Sequence, residues 1–271
     1  MLLKYIYNIF NLCYNFYGDI MKKILVSILI LLFFSLSVYA EGVTLPILLY
    51  HNITDFDQGF DYDVHISREK FTEQLEFLKE NNFNTITFKD YYEYRTNGTP
   101  LPENPIIITF DDGYYSNYKI AYPILKNMGM KGTIFTVTFS SYIPKTFVFN
   151  HFTWAEAREM AESQVIDIES HSANHLVHTN LSYDQCVFEA RKSYFDIYKN
   201  IGIKPFCYAY PTGAFTELSK KASEDAGYKI QCTVMGKLNN DLTPLNELRR
   251  LNIRGDIELD ELIDLIYNSS N

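Results

Sequence analysis

The chain has 271 residues, of which 47% are hydrophobic, and a formal net charge of −9 at pH 7. This length and apolar content can bury a full core, which excludes a disordered or fibrous protein. Residues 1–40 carry three lysines and one aspartate, a net of +2, so residues 41–271 carry −11, which argues against nucleic acids and acidic polymers as partners.

The first predicted element is an export signal at residues 21–40, MKKILVSILILLFFSLSVYA. Two lysines precede an apolar stretch, and the segment ends in Val-Tyr-Ala, a small-x-small cleavage pattern. The apolar stretch is shorter than the roughly twenty residues that span a bilayer, so we expect cleavage rather than a retained membrane anchor. Met21 is a natural start, so residues 1–20 are either an untranslated upstream extension or an unusually long charged region. We therefore expect residues 41–271 to be secreted or associated with the cell envelope, and bound to a membrane only if the signal is retained.

Eight short β-rich segments then alternate with segments of helical length. Such alternation predicts parallel strands covered by helices, and no composition break or Gly/Ser-rich linker divides the chain. We therefore predict an α/β fold, a distorted (β/α) barrel of about seven repeats in a single domain. The predicted strands are residues 44–50, 84–88, 105–110, 132–137, 165–169, 205–210, 228–234 and 248–253.

Three of the predicted helices begin at a capping residue. Ser67 can cap the first of them, in which apolar residues share one face. The other two begin with capping boxes. The apolar face comprises Phe71, Leu75 and Leu78, and the capping boxes pair Thr153 with Glu156 and Ser182 with Gln185.

Two adjacent carboxylates, Asp111 and Asp112, follow the most apolar predicted strand in the segment PIIITFDDG. In a (β/α) barrel the chemistry takes place at the carboxyl ends of the strands, which is where this pair lies. An Asp-Asp-Gly triplet by itself is most often a simple turn, so the pair indicates a site only if it has partners.

Suitable partners follow another predicted strand in the segment DIESHSANHLVH. His171 and His175 are four residues apart, so on a helical or tight-turn backbone both imidazoles can bind one divalent metal, and His178 lies nearby. Two histidines and one carboxylate leave coordination positions open, as in a catalytic metal site. Either Asp111 or Asp112 can be the carboxylate ligand, while the other remains free as a base.

The segments TFDDG at residues 109–113 and HSANH at residues 171–175 together resemble the first two motifs of the polysaccharide deacetylases. This family is also known as the NodB-homology or carbohydrate esterase family 4 proteins. Further landmarks, among them PILLYHNI, YAYPTG and RLNI, extend the resemblance over roughly residues 44–267.

The resemblance implies a role for each residue of the two motifs. Asp111 is expected to be the catalytic base, and Asp112, His171 and His175 are expected to bind a divalent metal. The metal is expected to be zinc, with cobalt or nickel able to substitute.

The third motif departs from the family pattern. Where many members have Arg-Pro-Pro-Tyr-Gly, this chain has Ala-Tyr-Pro-Thr-Gly at residues 209–213, so the usual arginine is missing. Arg250 is the expected substitute that orients the catalytic aspartate, but Arg250 and its neighbour Arg249 can equally be solvated charges. The backbone N–H of Tyr210 is the predicted oxyanion donor.

The C-terminal Leu-x-x-His motif is also absent, because no histidine follows His178. His51, in the segment LLYHNI, resembles the Tyr-His segment of a permuted subgroup that includes exopolysaccharide deacetylases acting on poly-N-acetylglucosamine. In that subgroup the N-terminal histidine takes the place of the missing one. We therefore predict His51 as the general acid.

Other residues have more ordinary interpretations. The cysteines after residue 40 lack C-x-x-C spacing and are expected to be small buried thiols. His65 and His151 are predicted in solvated loops, and Trp154 is expected to pack in the core. Three tyrosines flank the motifs and either pack in the core or stack on a pyranose ring; they are Tyr114, Tyr115 and Tyr210.

The sequence therefore predicts an exported, metal-dependent hydrolase that removes N-acetyl groups from a GlcNAc-containing polysaccharide, such as poly-GlcNAc, peptidoglycan or a chitin-like polymer. Two alternatives keep the same barrel: an O-deacetylase acting on xylan or another acetylated glycan, and a catalytically silent glycan-binding protein. A third, a structural envelope protein held by its N-terminal helix, predicts neither metal nor cavity. No nucleic acid, protein partner or organic cofactor is implied.

Overall fold

The computed structural model describes residues 42–268 except 60 and 143–149, together with positions 4, 8, 17–20, 23 and 27. Apart from Lys23 and Ser27, the predicted export signal lies outside the described residues. The chain divides into two units, residues 1–43 and 44–271, and the second contains all the described strands. None of the helices in the described part of the chain has the length and apolar character needed to cross a membrane.

The described strands are short, and eight of them form one parallel sheet. They are Ile47–Tyr50 (β1), Asn52–Thr54 (β2), His65–Ser67 (β3), Asn84–Thr85 (β4), Pro105–Phe110 (β5), Gly132–Thr136 (β6), Ile166–Ser170 (β7), Cys207–Ala209 (β8), Ile230–Cys232 (β9) and Leu251–Asn252 (β10). The sheet order is β10-β1-β5-β6-β7-β8-β9, with β4 paired to the beginning of β5. Strands β2 and β3 form a separate parallel pair.

The sheet curls into a distorted barrel because residues 248–252 contact both of its ends. Leu248 forms a parallel bridge with Cys232 of β9, and Leu251 pairs with Leu48 of β1. This topology confirms the predicted α/β fold and barrel. Each of the eight predicted strands is present, with ends displaced by up to a few residues.

Helices follow most of the strands and pack their buried faces against the sheet. They are Arg68–Glu80 (α1), Phe88–Asn97 (α2), Tyr122–Met128 (α3), Trp154–Glu162 (α4), Tyr183–Ile201 (α5), Glu217–Ala226 (α6) and Leu259–Asn268 (α7). The predicted caps are confirmed, since Ser67 accepts a hydrogen bond from the Lys70 N–H and both predicted capping boxes form.

Two local predictions are wrong. The strand predicted at residues 84–88 ends at Thr85, because Thr87 and Asp90 form a capping box that begins α2. His65 was expected in a solvated loop but lies in β3, where it is half-buried and its Nδ1 is 3.1 Å from Asn52 Nδ2. Strands of three residues are too short to show the alternation that identifies a strand in a sequence.

Strand β5 separates two apolar layers. Ile106 and Ile108 belong to the outer layer, which includes Leu75 of α1, whereas Ile107 belongs to the inner layer. Successive side chains of a strand point to opposite faces, so Asp111, four residues after Ile107, continues the inner row just beyond the strand. The sequence alternation of β5 thus places this carboxylate at the mouth of the barrel.

The structure also confirms that the cysteines after residue 40 are buried thiols and that Trp154 packs in the core. Cys186, Cys207 and Cys232 are free, buried thiols. Trp154 is 8% exposed and packs edge-on against Tyr142, with ring centroids 5.6 Å apart.

Leu75→Ala is expected to lower the free energy of unfolding by about 2–5 kcal/mol, because Leu75 is fully buried and its truncation leaves a cavity in the outer layer. Leu218→Ala is the matched control, since Leu218 also lies in a helix but is 53% exposed. The control should change stability by no more than about 0.5 kcal/mol. Urea denaturation of both variants measures the difference, and equal losses would contradict the assignment of Leu75 to the core.

Candidate active site

The carboxyl ends of the strands surround one cavity of about 270 Å³. Residues on or after β1, β5, β7, β8, β9 and β10 line it, joined by two residues from the connection between β2 and β3. The lining comprises Leu49, His51, Asp63, Val64, Asp111, Asp112, His171, His175, Thr212, Val234 and Asn252. The sequence analysis singled out five of these residues from three separate segments, and the fold brings them together.

Asp111 and Arg250 form a buried ion pair beside this cavity. Arg250 Nη1 and Nη2 donate to the two carboxylate oxygens of Asp111 at 2.6 and 2.7 Å. Arg250 is fully buried; its Nε donates to the Thr233 carbonyl, and its guanidinium lies 5.2 Å from the ring centre of Phe135. Arg249 is only half-buried. Arg250 is therefore not a solvated charge, the alternative that the sequence left open, but is paired with Asp111.

Asp111 is held in its ionised form. Its burial by itself raises the pKa, but the Arg250 guanidinium and the His171 and His51 imidazoles outweigh burial and hold the pKa of Asp111 well below its usual range. His51 is also adjacent through the backbone, because Tyr50 pairs with Phe110 and the Asp111 N–H donates to the Tyr50 carbonyl. Asp111 and His51 therefore lie next to each other, directly after the neighbouring strands β5 and β1.

Asp112, His171 and His175 converge on one point. Their candidate ligand atoms all lie within 4.8 Å of one another. Asp112 Oδ1 is 3.7 Å from His171 Nε2 and 3.4 Å from His175 Nε2. His171 Nδ1 lies 2.9 Å from the Ala209 carbonyl, so Nδ1 carries the proton and Nε2 faces the carboxylates with its lone pair.

This donor set fits a divalent metal. Burial lowers the pKa of His171 to about 4 despite the nearby carboxylates, so the imidazole is neutral, as a ligand must be. Its contact with the Ala209 carbonyl is the outer contact that metal-binding histidines commonly make. Two imidazoles and one carboxylate match a zinc site with open positions.

The backbone around these residues is strained. Asp112, Ser172, His175 and Thr212 all have left-handed φ angles, between 57° and 69°. Such conformations cost about 1–3 kcal/mol each in non-glycine residues, and they cluster at functional sites. The strain directs the Asp112 and His175 side chains into the same cavity.

Tyr210 does not take the predicted place. Its N–H donates to the Cys232 carbonyl at 3.0 Å, and its buried ring stacks on Phe215 with centroids 5.2 Å apart. The backbone bond to β9 leaves this N–H unavailable as an oxyanion donor, so that prediction is wrong. Thr212 lines the cavity instead. The sequence could have indicated Thr212. When Pro211 and Gly213 are aligned with the second proline and the glycine of Arg-Pro-Pro-Tyr-Gly, Thr212 occupies the tyrosine position.

Tyr114 is likewise not a surface for stacking sugars. It is 8% exposed, and its ring lies 5.4 Å from that of His151 in a stacked arrangement. Burial and the nearby Asp112 carboxylate raise the pKa of Tyr114 well above its ordinary value, so its hydroxyl stays protonated beside Asp112. His151, predicted in a solvated loop, is half-buried and forms a bridge with Tyr114.

His178 is not part of the cluster. It is 1% exposed, and its Nδ1 and Nε2 lie 2.8 Å from the Leu176 carbonyl and 2.6 Å from the Tyr208 hydroxyl. With both ring nitrogens engaged, His178 has a structural role. Asp63, which lies in no motif, and Asn252, which the sequence analysis included only within the landmark RLNI, also line the cavity, and neither was predicted as a site residue.

The curled parallel sheet and the aspartate–histidine cluster define a (β/α) barrel protein with a candidate metal centre at the carboxyl ends of its strands. Residues 98–231 match the family model described as polysaccharide deacetylase. The structure of the Streptococcus pyogenes deacetylase PplD in complex with acetate has the same fold, with a TM-score of 0.76 and 22% identity, over 83% of this chain and 99% of that one. In sequence and in fold the chain is therefore similar to the polysaccharide deacetylases.

Two curated relatives illustrate the match. YxkH of Bacillus subtilis, a polysaccharide deacetylase by name, is 33% identical over 192 residues, which are 70% of this chain and 64% of YxkH. The poly-β-1,6-N-acetyl-D-glucosamine N-deacetylase of Escherichia coli K12 is 25% identical over 256 residues, covering 80% of this chain and 38% of that protein. The chain thus spans less than two thirds of the length of either relative.

Gly113→Ala is expected to destabilise the protein more than Gly98→Ala. Both glycines have left-handed φ angles, 78° and 70°, so either alanine costs about 1–2 kcal/mol. A Cβ at Gly98 meets open space, whereas a Cβ at Gly113 would lie 2.5 Å from Thr136 Oγ1. Urea denaturation gives the difference, which the double variant Gly113→Ala/Thr136→Ala should reduce. Equal losses in the two single variants would contradict the close packing behind Asp112.

Proposed function

We propose that residues 41–271 are an exported, metal-dependent deacetylase that removes N-acetyl groups from a GlcNAc-containing polysaccharide of the cell wall or envelope. The observation that carries the proposal is one cavity in which an ionised, arginine-bound Asp111 lies beside the Asp112, His171 and His175 cluster. The similarity to the polysaccharide deacetylases and the name of the Escherichia coli relative support the choice of an N-acetylated glucosamine polymer.

Asp112, His171 and His175 would hold the metal, with zinc preferred and cobalt or nickel able to substitute. A divalent metal bound there would supply Lewis-acid activation of the amide carbonyl and of water. The Ala209 carbonyl fixes the tautomer of His171, and the Tyr114 hydroxyl lies close to Asp112 and stays protonated.

Asp111 is the proposed base. Its carboxylate is ionised, and its Oδ2 is 3.6 Å from His171 Nε2, so it lies at the edge of the ligand cluster. Arg250 fixes both of its oxygens and so restricts its orientation. In this position Asp111 can take a proton from a water molecule that attacks the acetyl carbon.

The developing oxyanion needs a hydrogen-bond donor, and the leaving amine needs a proton donor. The Thr212 N–H is the proposed oxyanion donor, since Thr212 lines the cavity in the turn after β8. His51 is the proposed general acid that protonates the amine. Its backbone is held by Asn117, whose Nδ2 donates to the His51 carbonyl at 2.8 Å.

The proposal is tested by product analysis on residues 41–271. The protein is incubated with GlcNAc oligomers, peptidoglycan and acetylated xylan, with added zinc or with a chelator. Acetate released together with new free amines supports N-deacetylation, whereas acetate without amines would identify an O-deacetylase. No acetate from any substrate, despite bound metal, would identify a silent glycan-binding protein.

Asp111→Asn and Asp112→Asn are expected to differ. The first should keep its metal but lose kcat/KM by a factor on the order of a hundred or more, because it removes a base; the second should bind metal more weakly. Metal analysis and circular dichroism of both variants, alongside the rates, provide the test. Equal metal loss in the two variants would mean that the roles are wrongly assigned and that both carboxylates bind the metal, whereas metal loss in Asp111→Asn alone would mean that the roles are reversed.

His51→Ala is expected to bind metal normally and to lose most of its activity on an N-acetyl substrate, because an unprotonated amine leaves poorly from a tetrahedral intermediate. An activated aryl ester should be affected much less, since a phenolate leaves without a proton. His65→Ala is the control, because it removes an imidazole that does not line the cavity. The same relative deficit on amide and ester in His51→Ala would make His51 structural.

A further inference from the structure

A buried carboxylate that takes no part in the proposed chemistry contacts the loop between His171 and His175. Glu189, in the middle of α5, is 2% exposed. Its Oε2 accepts the N–H of Ala173 at 3.1 Å and of Asn174 at 2.8 Å, and its Oε1 accepts the Asn174 side-chain amide at 2.7 Å. One helix side chain therefore binds three donors of a five-residue loop.

The loop needs such an acceptor. Ser172 and His175 both have left-handed φ angles, and within the loop Ser172 Oγ accepts the His175 N–H at 2.9 Å, which leaves the N–H groups of Ala173 and Asn174 to be bonded from outside the loop. Its carbonyls are bound from the opposite side, where the N–H groups of Thr138 and Phe139 donate to Ser172 and Ala173. Without Glu189, the buried Ala173 N–H would lose its partner, which is costly enough for the loop to rearrange.

The two histidines depend on this loop to different degrees. His171 is fixed independently, because its N–H donates to Thr136 of β6 and its Nδ1 bonds to Ala209. His175 follows directly after Asn174, which Glu189 holds by both backbone and side chain. A rearranged loop would therefore move the His175 imidazole first.

We infer that Glu189 is a positioning residue that holds His175 at the candidate metal centre from the outer helix layer. The inference rests on the proposed function, because it assumes that Asp112, His171 and His175 bind a metal. Glu189 does not line the cavity, and it does not contact the ring atoms of the candidate ligands.

Asp196 provides a matched control on the same helix. It is 3% exposed, and its carboxylate accepts hydrogen bonds from Thr138 Oγ1 at 2.9 Å and Lys192 Nζ at 2.5 Å. It is as buried as Glu189 and also has three donors, because the Tyr142 hydroxyl donates to its Oδ1 at 3.3 Å. Thr138 binds the His171–His175 loop through its backbone N–H and binds Asp196 through its hydroxyl, so the Asp196 carboxylate itself has no contact with the loop. Loss of either carboxylate should destabilise the fold. Of the two, only loss of the Glu189 carboxylate should also weaken metal binding.

The test is a titration of metal-free protein with cobalt(II), followed by visible absorption, for wild type, Glu189→Ala, Glu189→Gln, Asp196→Ala and Asp196→Asn. Glu189→Ala should raise the dissociation constant roughly 10- to 100-fold and change the absorption band, as expected when the support of a ligand is removed. Glu189→Gln should give a smaller increase, because its amide oxygen can still accept both backbone N–H groups. Both Asp196 variants should bind cobalt as wild type does, even where the melting temperature of the metal-free protein falls equally.

Wild-type affinity and spectrum in the Glu189 variants would overturn the inference, and so would an equal loss of affinity in Glu189 and Asp196 variants of equal melting temperature. If Glu189→Ala does not fold, the cobalt dissociation constants of Glu189→Gln and Asp196→Asn are compared instead. An equal constant in these two variants would overturn the inference. Absence of cobalt binding in wild type would instead remove the proposed metal site, so failure of the proposed function is distinguishable from failure of this inference.

Discussion

The carboxylate of Asp111 and the guanidinium of Arg250 meet inside the barrel, where almost no solvent reaches either group. Removing two charges from water is costly, and the pair offsets this cost through two short, parallel hydrogen bonds. Loss of one partner would leave an unpaired buried charge, which typically costs about 3–5 kcal/mol. The pair therefore constrains the closure of the sheet, because Arg250 precedes β10 and Asp111 follows β5, on opposite sides of β1.

The same pair prepares the chemistry that we propose. A base that must take a proton from water needs to be ionised and oriented before substrate arrives. Arg250 provides both conditions from a position late in the chain, in place of the arginine that many family members carry in the third motif. His51 similarly occurs at the beginning of the chain and not at its end, yet the pairing of β1 with β5 places it next to Asp111. The barrel can thus accept a catalytic group from any strand whose carboxyl end reaches the cavity.

The site combines strained loops with a rigid support. Four non-glycine residues with left-handed backbone lie at the cavity or in the histidine loop, and each costs stability. The apolar layers on both faces of the sheet offset that cost. The Glu189 side chain, from outside the site, holds the strained histidine loop through directed hydrogen bonds. This arrangement explains why residues without a recognisable motif matter for the site.

The sequence alone determined the eight strands of the barrel, three of the helix caps, the buried cysteines and the segments that contribute Asp111, Asp112, His171 and His175. These features depend on residues within a few positions of one another, so their patterns are visible in a linear chain. Only the tertiary structure decided whether Arg250 is a solvated charge or the partner of Asp111, brought Thr212 and not Tyr210 to the cavity, and buried Tyr114. Those outcomes depend on which strands pair and in what register, since register decides which side chains face the interior and which N–H groups are already bonded. The role of Glu189 could not be predicted from the sequence for the same reason. In the sequence it is an ordinary polar residue of a helix, and only the packing of that helix against the histidine loop gives its carboxylate three donors.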